Sequence, residues 1–200
     1  NGLEVREDAV GNVFGRLPGT DPSLAPVWTG SHIDTVLNAG MFDGNAGVIS
    51  GMEALRLIKE SGKQNKRDIE VIIYTSEEPT RFGLGCLGSR TMAGELTAEE
   101  MKTIVDKDGM SLAQVLESLG KNLEVIKDVK RKSGDVHAAV ELHVEQGAVL
   151  DTRGIEIGVV TTISAPTDIR VSVFGTQEHA GATPMDMRKD AMSAAAEIML

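Results

Sequence analysis

Apolar and polar positions follow a strand, helix, strand order in the first half of the chain. Residues 27–31 form a buried-strand pattern that ends at His32, and residues 69–75 are apolar at nearly every position. Between them, apolar residues recur at helical spacing: Val48, Met52, Leu55 and Ile58. This order predicts an α/β fold with a mixed, largely parallel sheet and flanking helices.

Shorter signals predict further elements. The Gly11-Asn12 pair between residues 3–6 and 12–15 indicates a hairpin at the sheet edge. Capping-box patterns at Thr97 and Ser111 each predict the start of a helix. Residues 138–144 and 155–163 are typical of two more strands, the first ending in His143. The charged stretch 121–135 lacks periodicity, which favours a solvated surface loop over a functional basic patch.

The pattern changes after Ala165-Pro166. Apolar residues from Ile169 to Val173 then alternate with polar ones, as in a sheet with one wet face. A helix is expected from about Lys189 onward. We therefore expect one domain over residues 1–165 and the beginning of a second domain over residues 166–200.

The amino-acid composition argues against several classes of function. A formal net charge of −10, from 30 acidic and 20 basic residues, opposes binding to nucleic acid or to an anionic membrane surface. The single cysteine, Cys86, excludes an intrachain disulfide and suits a reducing, cytoplasmic compartment. No apolar stretch approaches the roughly 20 residues of a membrane span. Because the chain starts without Met and stops within a predicted helix, we expect a fragment.

Residues that bind metals follow the predicted strands. His32 and Asp34 lie two residues apart, so on an extended segment the carboxylate can orient the imidazole ring. Asp43 precedes the predicted helix, where a carboxylate also serves as a cap or turn former. Taken alone, His32 is a loop histidine and His143 a hydrogen-bonded core histidine. Their shared position at strand ends, where open α/β sheets place their sites, favours one site.

Glu77 and Glu78 are the strongest local signal. Two acids directly after a buried strand repel each other unless a cation or a proton lies between them. One can bind metal while the other takes a proton from water. Nitrogen and oxygen ligands suit Zn²⁺ or Mn²⁺, and two ions about 3.5 to 4 Å apart can generate hydroxide and polarise a carbonyl together.

Five motifs in this order resemble the ureido-hydrolysing amidohydrolases of the M20 metallopeptidase clan. This group contains N-carbamoyl-L-amino-acid hydrolases, allantoate and ureidoglycolate amidohydrolases and β-ureidopropionases. The motifs are Gly-Ser-His-Ile-Asp-Thr at 30–35, Phe-Asp-Gly at 42–44, Thr-Ser-Glu-Glu-Pro-Thr-Arg-Phe-Gly at 75–83, Glu-Leu-His-Val-Glu-Gln-Gly at 141–147 and His-Ala-Gly-Ala-Thr-Pro-Met at 179–185.

The resemblance implies a role for each metal-site residue. It implies that His32 and His143 bind one divalent ion, that Asp43 bridges two ions and that Glu78 binds the second. Glu77 becomes the general base, which takes a proton from water and delivers it to the leaving nitrogen. The family's last metal ligand lies outside these 200 residues, so the isolated chain is expected to retain the second ion poorly and to have little activity.

Other residues receive roles from the same resemblance. Asp34 supports His32, and Gln146 contacts the substrate. His179, on the smaller domain, looks like the family histidine that reaches an active site, often the partner subunit's, and stabilises charge on the attacked carbonyl. Arg81 and Arg188 are either carboxylate binders or structural salt-bridge arginines.

The resemblance also implies the character of the two domains. Residues 1–165 would form a zinc-exopeptidase-like catalytic metal-binding domain, with its N-terminal part missing. Residues 166–200 would begin a truncated, inserted α+β dimerisation or lid domain, through which a homodimer forms.

The expected reaction is cleavage of the ureido C–N bond of a small carboxylated substrate, with release of ammonia and CO₂. Pro79-Thr80 and residues 86–90 look more like the ureidoglycolate branch than the N-carbamoyl-L-amino-acid or allantoate branches. An M20 aminopeptidase or aminoacylase is one alternative, which the motif at 143–147 disfavours. A non-catalytic, metal-stabilised dimerisation module is the other, and Glu77 argues against it, because a structural site needs no free base.

Overall fold

The computed structural model describes residues 2–164, 167 and 169–200, and these form two compact units. The first unit ends at Gly154, and the second runs from Ile155 to Leu200. The domain boundary expected near Pro166 falls on a residue outside this description. Among the described residues, no helix combines the length and the apolar character needed to cross a membrane.

A single mixed sheet organises the first unit. Its strands are β1 (Glu4–Glu7), β2 (Val13–Leu17), β3 (Val27–His32), β4 (Ile69–Tyr74) and β5 (Ala138–Val140), in the spatial order β1-β2-β4-β3-β5. β3 pairs in parallel with β4 and β5, whereas β2 pairs antiparallel with β1 and β4. The predicted edge hairpin, β1-β2, is confirmed, and the parallel strands bring their carboxyl ends to one edge.

Helices cover both faces of this sheet. α1 (Asn45–Glu60) lies on one face; α2 (Leu87–Ala93), α3 (Ala98–Met101) and α4 (Leu112–Ser118) lie on the other, and α5 (Val149–Arg153) ends the unit. The helix starts predicted at Thr97 and Ser111 are confirmed, since both residues form complete capping boxes. The α/β prediction is thereby confirmed.

Two hydrophobic clusters fill the space between the layers. Ile72 of β4 packs with Phe14 and Trp28 beneath α2 to α4. Its neighbour Val71 points to the opposite face and packs with Leu55 of α1. Burial of each such side chain stabilises the fold by about 1.5 to 3 kcal/mol. Both faces of β4 are covered, as its nearly continuous apolar run predicts.

A buried acid fixes the strands relative to one another. Glu70 of β4 is only 5% exposed, and its carboxylate accepts a hydrogen bond from Trp28 Nε1 at 2.8 Å. Arg6 of β1 donates to both carboxylate oxygens, at 3.0 and 3.1 Å, while its guanidinium lies 3.6 Å from the centroid of the Phe14 ring. The buried charge is therefore paired and hydrogen-bonded, as burial requires.

Glycines let α1 approach the sheet closely. A Cβ at Gly47 would lie 2.3 Å from the carbonyl oxygen of Leu142 and 2.7 Å from Cβ of Ser31. One turn later, a Cβ at Gly51 would lie 3.1 Å from side-chain atoms of β3 and β4. Any larger residue at Gly47 would push the helix away. This approach brings the N-terminus of α1 next to the end of β3, where the candidate ligands lie.

The stretch 121–135 was wrongly predicted as an irregular surface loop. Residues Leu123–Val129 form a 3₁₀ helix, and Ile126 and Val129 are buried against α2 to α4. The two apolar residues are spaced by three, the repeat of a 3₁₀ helix, and the charged residues between them hide that repeat from an α-helical or strand template.

Predicted strands in the later part of the chain are shorter or absent. The strand expected over residues 138–144 ends at Val140 and is exposed, because β5 bonds to β3 along one edge and no described strand pairs with its other edge. His143 therefore lies beyond the strand. Within the described part of residues 155–173 no strand forms, since extended segments need a neighbouring strand to satisfy their backbone groups. The expected helix is α6 (Ala191–Met199), with Asp190 as its N-cap.

Candidate metal centre

The candidate ligands gather at the carboxyl ends of β3 and β4. His32 is the last residue of β3, pairs with Tyr74 at the end of β4, and is 2% exposed. Glu77 and Glu78 follow Tyr74 in the next loop. This is the edge at which open α/β sheets place their sites, because the loops after parallel strands meet there.

Backbone carbonyls fix the tautomer of both histidines. His32 Nδ1 lies 2.8 Å from the carbonyl oxygen of Asp34, and His143 Nδ1 lies 2.9 Å from that of Val144. Since a carbonyl only accepts, each Nδ1 carries the proton of the neutral ring. Each Nε2 then has a free lone pair, as in most metal-binding histidines. The two rings stack with their centroids 5.8 Å apart.

Asp34 supports the site in two ways. Its carbonyl, rather than the expected carboxylate, makes the hydrogen bond to the His32 ring; Asp34 Oδ1 lies 3.7 Å from Nδ1. The carboxylate instead accepts the backbone N–H groups of Glu77 at 3.2 Å and Glu78 at 2.9 Å. Asp34 thus connects the end of β3 to the acidic loop, which is the loop after β4 that carries Glu77 and Glu78.

Asp43 presents a buried oxygen that lacks a hydrogen-bond donor. Its Oδ2 accepts a hydrogen bond from Gln146 Nε2 at 2.8 Å. Its Oδ1 is inaccessible to solvent and accepts no hydrogen bond from the described residues, although His143 Nε2 lies 3.4 Å away. In the tautomer above, that nitrogen also offers a lone pair, so a cation between the two atoms satisfies both. Asp43 does not cap α1, because the N-cap position belongs to Gly44 and makes no side-chain hydrogen bond.

The glutamates add negative charge beside these atoms. Burial raises the pKa of Glu78 above its usual value, and the charges of Glu77 and Asp43 raise it further. Two groups of side chains have ligand atoms that all lie within 4.8 Å of one another: His32, Asp43 and His143, and His32, Glu77 and Glu78. The structure thus brings together the predicted ligands and the predicted base around a centre suited to cations.

The sequence left the roles of two arginines open, and both make ion pairs or hydrogen bonds within the protein. Arg81 forms an ion pair with Asp106 at 2.9 Å, and the side chain of Asp106 is 3% exposed. Arg188 donates to the carbonyl oxygens of Thr183 and Ala180. These contacts favour the structural interpretation for both arginines.

His179 lies in the second unit, in the turn before Pro184. Its Nδ1 accepts the backbone N–H groups of Gly181 and Ala182, both at 3.1 Å. The remaining proton of the neutral ring is therefore on Nε2, which makes Nε2 a hydrogen-bond donor. This is the state that stabilisation of a developing negative charge requires.

One neighbour of the site was missed by sequence reasoning. The thiol of Cys86 donates a hydrogen bond to Glu77 Oε1 at 3.3 Å. The two residues are nine positions apart with a turn between them, and no periodicity links them. In the sequence, Cys86 served only to exclude an intrachain disulfide and as part of the motif at 86–90, and neither use pointed to Glu77.

Comparison with known proteins now places the chain in a family. The family model described as peptidase family M28 matches residues 12–153. The chain belongs to peptidase family M28. The M28 match includes both histidines and all three carboxylates of the two candidate ligand groups. The five sequence motifs resemble the ureido hydrolases of the M20 clan. The relatives found by comparison are named as such ureido hydrolases, as this resemblance predicts.

Two relatives of this M28 chain are named as ureido hydrolases. The chain is 50% identical over 202 residues to a ureidoglycolate hydrolase of Oryza sativa subsp. japonica, covering 100% of this chain and 42% of the relative. It is 45% identical over 194 residues to an N-carbamoyl-L-amino-acid amidohydrolase of Paenarthrobacter aurescens, covering 97% and 47%.

A solved structure agrees with the fold. The crystal structure of AtUAH in complex with glyoxylate matches with a TM-score of 0.81 and 46% identity, covering 98% of this chain and 48% of that chain. The chain thus spans less than half the length of these relatives. The fold of the matched part is shared, and the recognition of the ureido-hydrolase group is confirmed.

Proposed function

We propose that this protein is a metal-dependent amidohydrolase that cleaves the ureido C–N bond of a small carboxylated substrate. The observation that carries the proposal is the buried Oδ1 of Asp43, which lacks a donor and faces the free Nε2 of His143 beside the Glu77-Glu78 pair. Such an arrangement suits a divalent cation next to a carboxylate base. The names of the relatives supply the bond that is cleaved.

The ligand atoms divide between two ions in this proposal. Nε2 of His32, Nε2 of His143 and Asp43 Oδ1 would hold one Zn²⁺ or Mn²⁺ ion. Asp43 and Glu78 would hold a second ion. When bound, the ions would polarise the ureido carbonyl and lower the pKa of the attacking water.

Glu77 is the general base and acid. Its carboxylate takes a proton from the attacking water as the new C–O bond forms at the ureido carbon. It then gives that proton to the leaving nitrogen as the C–N bond breaks and ammonia departs. The remaining carbamate then takes up a proton and breaks its N–C bond, which gives CO₂ and an amine that keeps the rest of the substrate. Asp34 keeps Glu77 in reach by holding its backbone N–H.

Charge on the attacked carbonyl oxygen would be stabilised by His179, whose Nε2 is the donor. We propose that His179 acts in a homodimer formed through the smaller domain, which begins near residue 166. Gln146 would contact the substrate, exchanging its hydrogen bond to Asp43 for one to the ligand. A cytoplasmic location suits the single cysteine.

Ureidoglycolate is the first substrate choice. Residues 79–83 and 86–90 favour that branch, and the rice relative supports it at 50% identity. N-carbamoyl-L-amino acids follow closely, because that relative is only slightly less similar. A peptidase that acts on peptide bonds is the second candidate, favoured by the M28 family model itself.

The test is ammonia release by the full-length protein, loaded in turn with Mn²⁺ and Zn²⁺. Parallel samples contain ureidoglycolate, an N-carbamoyl-L-amino acid, allantoate and a dipeptide. We expect ammonia from one ureido substrate in clear preference, and no cleavage of the dipeptide. Metal-loaded protein that releases amino acids from the dipeptide, and no ammonia from any ureido compound, would establish the peptidase instead.

A further inference from the structure

We infer that Cys86 is a positioning residue for Glu77. Its thiol donates to Glu77 Oε1 at 3.3 Å, while Glu77 Oε2 faces His32, 3.7 Å from Nε2. The two carboxylate oxygens therefore have different surroundings. Resting on the function proposed above, this assigns Oε1 to anchoring and Oε2 to accepting the proton from water.

Backbone hydrogen bonds also join the segments that carry Cys86 and Glu77. The first amides of the α2 segment donate to the acidic loop: Cys86 N to the Glu77 carbonyl at 2.7 Å, Leu87 N to that of Ser76 at 3.0 Å and Gly88 N to that of Thr75 at 2.9 Å. Because the two backbones are fixed, a single additional hydrogen bond selects the orientation of the Glu77 carboxylate. The contact is thus a local constraint on the base rather than a general packing contact.

The backbone conformation of Cys86 points the same way. Its φ is +60°, in the left-handed region where glycine is strongly favoured. A non-glycine residue in this region has a conformational cost, and such residues cluster at functional sites. The thiol is partly buried. Because an ionised carboxylate only accepts hydrogen bonds, the S–H group is the donor in its contact with Glu77.

The kinetic test compares Cys86→Ala with Cys86→Ser in the full-length, metal-loaded protein. Alanine removes the donor, and serine keeps one. We expect kcat of Cys86→Ala to fall about threefold to tenfold, the span of one hydrogen bond, with KM unchanged. Cys86→Ser should recover most of that loss. Ser118→Ala, at the exposed end of α4, is the matched control and should match the wild type.

The Cys86 variants distinguish a packing role of the thiol from a role in positioning Glu77. A packing role would make serine and alanine equally poor and would lower thermal stability together with kcat. In a Glu77→Gln background, the further change Cys86→Ala should have no additional effect on kcat. Wild-type kcat in Cys86→Ala, or no rescue by serine, overturns the inference.

A second readout does not depend on turnover. The S–H stretching band of Cys86 is isolated in the infrared difference spectrum between wild type and Cys86→Ser. We expect this band at the lower frequency of a hydrogen-bonded thiol, and a shift to the free-thiol frequency in Glu77→Ala. A band that Glu77→Ala leaves in place refutes the contact even if the enzyme is active. The S–H band could move to the free-thiol frequency in Glu77→Ala while the wild type hydrolyses no ureido compound. That result confirms the contact and refutes the proposed function.

Discussion

At the scale of single residues, the three ligands proposed for the first ion, His32, Asp43 and His143, share one feature. In each side chain, one polar atom already makes a hydrogen bond. The Nδ1 atoms of His32 and His143 bond to carbonyls, and Asp43 Oδ2 accepts from Gln146. The atoms left over are two Nε2 lone pairs and one carboxylate oxygen. Fixed partners of this kind orient metal ligands before the ion binds and strengthen its binding.

Replacement of Glu77 by glutamine separates catalysis from metal binding. Glutamine keeps the size of the side chain but cannot take a proton. We expect kcat to fall by about 10² to 10⁴, the usual contribution of a general base, while the metal content stays at the wild-type level. Ammonia release and elemental analysis of the purified variant provide the two measurements. Glu117→Gln, an exposed acid on α4, is the control, and retained turnover in Glu77→Gln excludes Glu77 as the base.

At the scale of elements, the turn before α1 places His32 and Asp43 side by side. Gly44 has a φ of +65°, and a Cβ there would lie 2.5 Å from Nδ1 and Cε1 of His32. The turn therefore requires glycine for both conformation and space.

Gly44→Ala tests this turn. We expect a loss of stability of at least about 1 kcal/mol, because alanine is strained at this φ, together with weaker metal binding as His32 is displaced. Gly40→Ala is the matched control, since a Cβ there meets no atom within 4 Å. Thermal unfolding and metal titration of both variants give the comparison. Equal metal affinity in the two variants would show that the turn does not position His32.

A second element-level prediction concerns the start of β4. Asp68 accepts hydrogen bonds from Arg16 Nε and from the backbone N–H of Gly19, both at 2.7 Å, and the bond from Arg16 is the main cause of its lowered pKa. A folded pKa below the unfolded value means that the stabilisation is complete above the unfolded pKa, about 3.9, and is lost as pH falls through the folded pKa.

Asp68→Asn should therefore lower the free energy of unfolding by about 1 to 2 kcal/mol near pH 7. The difference from wild type should shrink as the pH falls below about 4, where the unfolded chain takes up a proton at Asp68, and should be smallest below the lowered pKa of the folded protein. Urea unfolding at several pH values measures it. Asp108→Asn, an exposed acid, should show no such dependence. A difference that is constant from pH 7 to pH 3 would contradict the ion pair.

At the scale of the whole molecule, the proposed dimer has a testable consequence for His179. If His179 serves the partner's site, Glu77→Gln and His179→Ala chains are each inactive alone but complement each other when mixed. Random pairing should restore about one quarter of wild-type activity, because half of the dimers are mixed and one of their two sites is complete. Ammonia release from the co-expressed full-length variants measures this. Activity no higher than that of either variant alone would place His179 in its own subunit's site.

Local chemistry made much of the fold predictable. β3, β4 and α1 follow directly from apolar periodicity, and the starts of α3 and α4 follow from capping boxes at Thr97 and Ser111. The types of residue at the site were readable too, because Glu77-Glu78 stands directly after a buried strand. The strands predicted beyond Val140 do not form in the described residues, since a strand depends on a neighbouring strand, which apolar content alone does not supply.

The sequence by itself therefore determined the order of the elements and the residues with metal and base chemistry, because periodicity, caps and adjacent charges act over a few positions. The tertiary structure alone decided which atoms face one another. It gave the His32 ring a carbonyl partner, left Asp43 Oδ1 without a donor and set the Cys86 thiol against Glu77. These contacts join segments that only the packing of α1 and α2 on the sheet brings together, so no local pattern encodes them.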